Sequence, residues 1–210
     1  MSARDQLLHL LATNSFRLGD FQLSSGGRSD YYVDCRTTTL DALGALLTAR
    51  VVLDEVRRRG WAPEAIGGMT LGADPIVAAV ATLSAQEGQP RAETGQERRR
   101  AYIQGFLVRK AEKAHGTEQR IEGFRKPGAR VVIVDDVCTT GASTVQAIEA
   151  ARQAGFTVAG VLCLVEREEA GGRVAVEAAA GPAPFVAIFQ AAEVRQAHLR
   201  LQQETSHSVS

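Results

Sequence analysis

The sequence predicts an α/β fold: a doubly wound, mainly parallel sheet flanked by helices, with a small N-terminal hood. Short apolar runs such as 131–134 alternate with amphipathic segments of helical length, which is the pattern of repeated βαβ units. The chain has 210 residues, of which 45% are hydrophobic and 23% charged. This is typical of one ordinary globular domain.

The N-terminal part does not follow the repeat. Residues 4–14 have the apolar spacing of an amphipathic helix, and 16–34 are rich in glycine, serine and aromatic residues, which indicates a hairpin or extended hood. A helix is predicted over 40–59, with Thr39 as its N-cap and Gly60 at its end. We therefore expect the helix and hood to occupy 1–38 as part of the same domain.

Residues 39–201 are predicted to form the α/β core, and the polar segment 202–210 a disordered tail. One core helix is predicted to start with Asp74 as N-cap and Pro75 at N1 and to reach about Gln86. Another is predicted over 143–154, before Gly155. The predicted core strands are 65–68, 105–108, 131–134, 157–165 and 184–189. The stretches 89–100 and 109–128 lack apolar periodicity and are predicted to be loops.

Charge and cysteine content exclude several classes of protein. Lysine plus arginine and aspartate plus glutamate both number 24, which argues against a protein that mainly coats nucleic acid or an anionic membrane. The three cysteines, Cys35, Cys138 and Cys163, have neither disulfide-framework nor zinc-site spacing. No signal-peptide pattern or membrane-length apolar run is present. We expect a cytoplasmic protein without nucleic-acid or membrane partners.

The segment 131–144 carries the clearest functional signal. An apolar strand leads into Asp135 and Asp136, then into Thr-Thr-Gly-Ala-Ser-Thr and a helix. Ligands of parallel α/β sheets bind at the carboxyl ends of strands, where loop N–H groups and a helix N-terminus form an anion site. Gly141 allows close backbone approach. The two carboxylates repel phosphate, so they must face sugar hydroxyls or a metal.

Other interpretations of this segment are weaker. A Walker A loop would need a lysine that is absent here, and no G-x-G-x-x-G motif is present. A purely structural interpretation, a buried strand that ends in an acidic turn before a capped helix, accounts for two acids alone. The acids followed by Thr-Thr-Gly-x-Ser-Thr form a far more specific pattern.

This segment resembles the motif with which type I phosphoribosyltransferases bind 5-phosphoribosyl-1-pyrophosphate (PRPP). The resemblance implies that Asp135 and Asp136 contact the ribose hydroxyls and that 139–144 wraps the 5′-phosphate. The implied binding set is Asp135, Asp136, Val137, Cys138, Thr139, Thr140, Gly141, Ala142, Ser143 and Thr144.

A basic loop indicates which phosphoribosyltransferase family the sequence resembles. Residues 108–116 read Val-Arg-Lys-Ala-Glu-Lys-Ala-His-Gly and look like the catalytic loop of orotate phosphoribosyltransferases, which reaches across a homodimer. The resemblance implies that Lys113 is the main catalytic cation and that Arg109, Lys110 and His115 contact pyrophosphate. Such cations, with Mg²⁺, would neutralise charge on the leaving group. The alternative is a solvated run of charges.

Three further segments resemble the same family: 21–34 its hood, 67–75 its pyrophosphate loop, and 165–172 the segment whose arginine binds the orotate carboxylate. The resemblance implies orotate contacts from Arg167 and Thr139, and a planar guanidinium suits a carboxylate. The alternative for Arg167 is a surface ion pair with a neighbouring glutamate. The family's sequences depart from this one at Ser24 and Gly72, where some members have lysine, and 89–104 is longer than the family pattern.

The resemblance implies transfer of phosphoribosyl from PRPP to orotate, with Mg²⁺ carried mainly by PRPP and no confident side-chain metal ligand. Two alternatives stay open at this point. One is a phosphoribosyltransferase for a purine base. The other is a PRPP-sensing regulator on the same fold, against which the basic loop argues.

Overall fold

The computed structural model describes residues 1–22, 27–88, 102–110 and 120–207. The strands are β1 Phe16–Gln22, β2 Arg28–Val33, β3 Ala65–Met69, β4 Gln104–Val108, β5 Ile121–Gly123, β6 Arg130–Cys138, β7 Thr157–Glu166 and β8 Phe185–Gln190. The α-helices are α1 Ala3–Leu10, α2 Arg36–Thr39, α3 Ala42–Arg58, α4 Asp74–Glu87, α5 Ala142–Gln153, α6 Gly172–Ala180 and α7 Ala191–His207. A π-helical turn covers Leu11–Ser15, and a 3₁₀ turn covers Glu168–Ala170.

The six-stranded sheet has the order β5-β4-β3-β6-β7-β8. All neighbours pair in parallel except β5, which is antiparallel to β4 at the edge. The hood is a separate antiparallel hairpin of β1 and β2. The predicted mainly parallel α/β sheet and the predicted hairpin are therefore both confirmed.

Alternation along the central strand β6 explains why helices cover both faces. Val132 and Val134 pack into one apolar cluster with α1, α3, α4 and α7. Val131 and Ile133 face the opposite cluster, with α5 and α6. Successive side chains of a strand point to opposite faces, so a strand that is buried on both sides is apolar at every position.

Several observed boundaries differ from the predicted ones. The N-cap of α3 is Asp41, whose Oδ1 accepts a hydrogen bond from the Gly44 N–H at 2.8 Å, and not Thr39. Asp74 is the first residue of α4, with Ala73 at the N-cap position. Within the predicted loop 109–128, three residues form β5, because pairing with β4 buries Ile121.

The last two helices were not predicted. α6 buries Val176 and Ala180 against the sheet, but with nine residues it is short for a helical periodicity to be recognised. α7 continues to His207, so the tail predicted to be disordered is helical over 202–207. Residues 208–210 and the whole predicted loop 89–100 lie outside the described residues.

Candidate active site

The carboxyl ends of the central strands and the hood enclose a cleft of about 580 Å³. Its walls come from segments that are far apart in the chain: the hood, the loop after β3, the end of β6 and the start of the segment after β7. Among the residues predicted to form the site, those lining the cleft are Lys110, Asp135, Asp136, Val137, Thr139, Thr140, Ser143 and Arg167.

The two adjacent acids occupy different environments. Asp135 is 5% exposed, and its oxygens accept hydrogen bonds from the Thr144 hydroxyl at 2.6 Å and from the Asp136 N–H at 3.0 Å. Burial raises the pKa of Asp135 to about 7. Burial also raises the pKa of Asp136, whose Oδ1 accepts from the Val137 N–H at 2.9 Å. Protein donors thus reach both Asp135 oxygens, which suits this acid to an internal role.

An Asp135→Asn variant is expected to gain stability relative to the parent as the pH rises. The native protein retains the Asp135 proton up to about pH 7, whereas the unfolded chain releases it near its ordinary pKa of 3.8. The native state then binds more protons between about pH 4 and 7, and its stability falls as pH rises through that window. Asparagine cannot ionise, so this loss disappears.

Denaturant unfolding at pH 5 and pH 7.5 measures the effect. From pH 5 to pH 7.5, the unfolding free energy of Asp135→Asn should rise by about 2 kcal/mol relative to that of the parent. Asp54→Asn, at an exposed position of α3, is the control and should show no such change. An equal difference for Asp135→Asn at both pH values would contradict the raised pKa.

Three predicted binding side chains do not line the cleft: those of Cys138, Thr144 and Ala142, the last at the start of α5. Thr144 is 1% exposed and its hydroxyl donates to Asp135, so its side chain orients the acid. Cys138 is 1% exposed and packs into an apolar cluster. Its contribution near the site is the main chain, because its carbonyl accepts from the Arg167 N–H at 2.9 Å.

Two glycines allow the loop after β6 to pack closely against the start of α6. Gly141 has a φ of +76°, a conformation that L side chains rarely adopt. A Cβ on Gly172 would lie 2.3 Å from the Thr139 carbonyl oxygen and 2.7 Å from the Gly141 nitrogen. The position of the loop therefore depends on Gly172, which sequence reasoning missed.

Close packing also explains the glycine at 72. A Cβ there would lie 2.3 Å from Oδ1 of Asp136, so no side chain fits without moving that carboxylate. The loop that contains Gly72 is anchored by the Thr70 N–H, which donates to the Val108 carbonyl at 3.0 Å. Ser24, the other position where some family members have lysine, lies outside the described residues.

Arg36 is a cleft residue that the sequence analysis did not identify. Its Nε and Nη2 donate to the two oxygens of Asp34 at 2.8 and 2.9 Å, and it lines the cleft opposite the acids. Its positive charge partly opposes the burial that raises the pKa of Asp136. The available signal was a basic residue directly after the hood's Tyr-Tyr-Val-Asp-Cys sequence.

Arg167 is buried, and it also forms the ion pair of the alternative interpretation, with Oε1 of Glu169 at 3.2 Å. It is 7% exposed and its guanidinium stacks on the Tyr31 ring, 4.5 Å from the centroid. Its Nε donates to the Tyr31 hydroxyl at 3.0 Å, and its Nη2 donates to the Ser29 hydroxyl at 3.0 Å. Arg167 also borders a second hollow of about 870 Å³ beneath the hood.

The predicted catalytic cations are only partly described. Lys110 lines the cleft, whereas Arg109 pairs with Glu122 at 3.2 Å and borders a neighbouring hollow. Lys113 and His115 lie outside the described residues. Of the two predicted cations that the structure describes, Lys110 lies at the cleft.

Within the ranges that the structure describes, no three His, Cys, Asp or Glu side chains are grouped as a metal-ligand set. In the same ranges, no helix combines the length and apolar character needed to cross a membrane.

Comparisons with known proteins decide the family. No protein-family model matches the chain. An orotate phosphoribosyltransferase of Synechocystis sp. is 41% identical over 196 residues, which cover 93% of this chain and 90% of the relative. The chain belongs to the orotate phosphoribosyltransferase family. The earlier resemblance and the fold class are thereby confirmed.

Solved orotate phosphoribosyltransferases share the fold. A crystal structure of the Mycobacterium tuberculosis H37Rv enzyme matches with a TM-score of 0.72 and 34% identity, covering 92% of this chain and 99% of that one. A second structure of that enzyme, in complex with PRPP, has a TM-score of 0.69 and 30% identity, and it covers 92% of this chain and 99% of that one. The cleft described above is thus the candidate active site of an orotate phosphoribosyltransferase.

Proposed function

We propose that this chain transfers the phosphoribosyl group of PRPP to orotate, giving orotidine 5′-phosphate and pyrophosphate in UMP biosynthesis. The observation that carries the proposal is the buried Arg167 in the same cleft as Asp136 and the loop 139–143. Glu169 pairs with this guanidinium only at Nε, at 3.2 Å, and among the described residues no group accepts from Nη1. A second, planar carboxylate can therefore bind at that side. A purine base offers no such carboxylate.

In this proposal each part of PRPP binds a different chain segment. The 5′-phosphate binds the loop 139–143 at the N-terminus of α5, where backbone N–H groups favour an anion. Asp136 accepts from the ribose hydroxyls, with Asp135 held behind it by Thr144. The pyrophosphate lies toward the backbone of 70–73 and Lys110.

The proposed reaction needs charge stabilisation more than a covalent partner. The bond from the anomeric carbon to pyrophosphate breaks, its electron pair leaves with pyrophosphate, and the orotate ring nitrogen forms the new bond. Cations at the pyrophosphate end stabilise the departing charge, and the cleft holds the two substrates in line.

Mg²⁺ belongs to this proposal as a companion of PRPP. Mg²⁺ prefers oxygen ligands and retains much of its hydration, often with only one or two carboxylates from protein. Asp136 supplies a carboxylate in the cleft, and the described residues contain no ready three-ligand cluster. This set fits a metal held mainly by PRPP oxygens. When bound, the ion neutralises pyrophosphate charge.

A substrate panel tests the function, and Arg167→Met tests the observation that carries it. Turnover should require orotate, PRPP and Mg²⁺, and adenine or hypoxanthine should not replace orotate. Arg167→Met should raise KM for orotate about 100-fold, since a charge-assisted pair contributes about 3 kcal/mol, with KM for PRPP unchanged. Turnover of adenine but not orotate would refute the proposal, and PRPP binding without any turnover would favour the regulator.

We also propose a cytoplasmic homodimer in which the loop 109–116 serves the neighbouring active site. Lys113→Ala should then lower kcat at least about tenfold, and Asp136→Ala should inactivate its own site. In an equal mixture that exchanges subunits, about a quarter of all sites would combine an intact Lys113 with an intact Asp136. Recovery to about that level supports sharing, whereas no recovery means that the loop acts within its own chain.

A further inference from the structure

The contacts of Arg167 occupy one edge of its guanidinium. An arginine side chain has five N–H donors, arranged so that either its Nε–Nη2 edge or its Nη1–Nη2 edge can receive a carboxylate. Here Nε donates to the Tyr31 hydroxyl and to Oε1 of Glu169 at 3.2 Å, and Nη2 donates to the Ser29 hydroxyl. Among the described residues, the protein's own groups thus take the Nε–Nη2 edge and none takes Nη1.

Tyr31 and Glu169 form the fixed part of this arrangement. The Tyr31 hydroxyl donates to Oε1 of Glu169 while it accepts from Nε of Arg167. Burial first, and then the Glu169 carboxylate, raises the pKa of Tyr31 to about 12, so the hydroxyl remains a donor at physiological pH. The Tyr31 ring meanwhile stacks on the guanidinium, which leaves Arg167 little freedom to rotate.

We propose that Tyr31 and Glu169 are positioning residues for base recognition, which hold the Nε side of Arg167 so that the base carboxylate is received by Nη1 and Nη2. This inference rests on the proposed binding of orotate by Arg167. Because Tyr31 belongs to the hood and Glu169 to the 3₁₀ turn after β7, the pair also ties the hood to the sheet at the base end of the cleft. Neither residue touches the reacting atoms.

The consequence is a specific kinetic signature. A misaligned guanidinium weakens binding of the carboxylate but leaves PRPP contacts unchanged, so KM for orotate should rise alone. Uracil, which lacks the carboxylate, gains nothing from the alignment. Positioning residues therefore control the preference for orotate over uracil, whereas a merely structural defect would lower turnover of both bases and affect PRPP as well.

Four variants test the inference by steady-state kinetics with orotate and with uracil. Tyr31→Phe keeps the stacked ring and removes only the hydroxyl, and Glu169→Ala removes the acceptor. Each should raise KM for orotate about tenfold, the loss of roughly one hydrogen bond to a charged group, with kcat, KM for PRPP and uracil turnover within about twofold. Glu169→Gln keeps an acceptor oxygen and should restore most of the affinity. Glu168→Ala, at the exposed neighbouring position, is the matched control.

These variants distinguish the binding role of Arg167 from the positioning role of Tyr31 and Glu169. If Arg167→Met leaves KM for orotate unchanged, the proposed role of Arg167 is wrong. If Arg167→Met raises it but Tyr31→Phe and Glu169→Ala do not, only the positioning role is overturned. An equal rise in KM for PRPP, or a Glu169→Gln variant as impaired as Glu169→Ala, would also overturn it. Thermal melting of each variant checks that the fold is intact.

Discussion

An Asp136→Ala variant is expected to lose about a thousandfold in kcat/KM for PRPP while its melting temperature stays level or rises. Two hydrogen bonds from ribose hydroxyls to a carboxylate contribute about 4 kcal/mol together, which corresponds to roughly a thousandfold in affinity. Asp136 is the acid positioned for both, because protein donors already reach both oxygens of Asp135.

The expected melting temperature follows from the electrostatics of Asp135 and Asp136. Burial raises the pKa of both acids, and the charge of Asp136 raises that of Asp135 further. Placing two neighbouring carboxylates where water reaches them poorly therefore lowers the free energy of unfolding. Removing Asp136 relieves this repulsion, although the loss of its attraction to Arg36 offsets part of the gain.

Both effects can be measured on Asp136→Ala. Calorimetry and initial rates give the loss of PRPP binding and turnover, and thermal melting gives the change in stability. Asp54→Ala removes a carboxylate from an exposed position of α3 and should change neither binding nor rate. A large fall in melting temperature with Asp136→Ala would show that this carboxylate stabilises the fold. Unchanged PRPP affinity would remove it from the binding site.

A Gly172→Ala variant is expected to lose both activity and stability. The added Cβ would lie 2.3 Å from the Thr139 carbonyl oxygen and 2.7 Å from the Gly141 nitrogen. Both are backbone atoms of the proposed phosphate loop, so relief requires displacing the loop itself. A displacement of about 1 Å at a reacting group costs on the order of a hundredfold in rate, and overpacking costs about 1–3 kcal/mol of unfolding free energy.

Gly128→Ala provides the comparison for this variant. Gly128 has a φ of +78° and open space around its Cα, so alanine there introduces backbone strain of roughly 1 kcal/mol without touching the loop. Both variants should be destabilised, but only Gly172→Ala should lose kcat/KM for PRPP. Full activity in Gly172→Ala would mean that the phosphate does not depend on the position of this loop.

The strands and the phosphate loop were predictable because their signals are local. A β-branched run buried on both faces is apolar at every position, and the acids and hydroxyls that follow it are adjacent in the chain. Helix α6 and strand β5 gave no comparable signal. The first is too short for its periodicity to be distinctive, and the second is a strand only because Ile121 pairs with Val108 at the sheet edge.

From the sequence alone came the alternation of strands and helices, the phosphate-loop motif and the resemblance that pointed to orotate. The tertiary structure decided that Asp135 and Asp136 have unequal environments, that the Thr144 hydroxyl donates to Asp135, and that Arg167 is buried. The physical reason is distance along the chain. Motifs record what neighbouring residues can do, whereas burial and hydrogen bonding depend on partners such as Tyr31 and Arg167, which are 136 positions apart and meet only after the sheet and hood have packed.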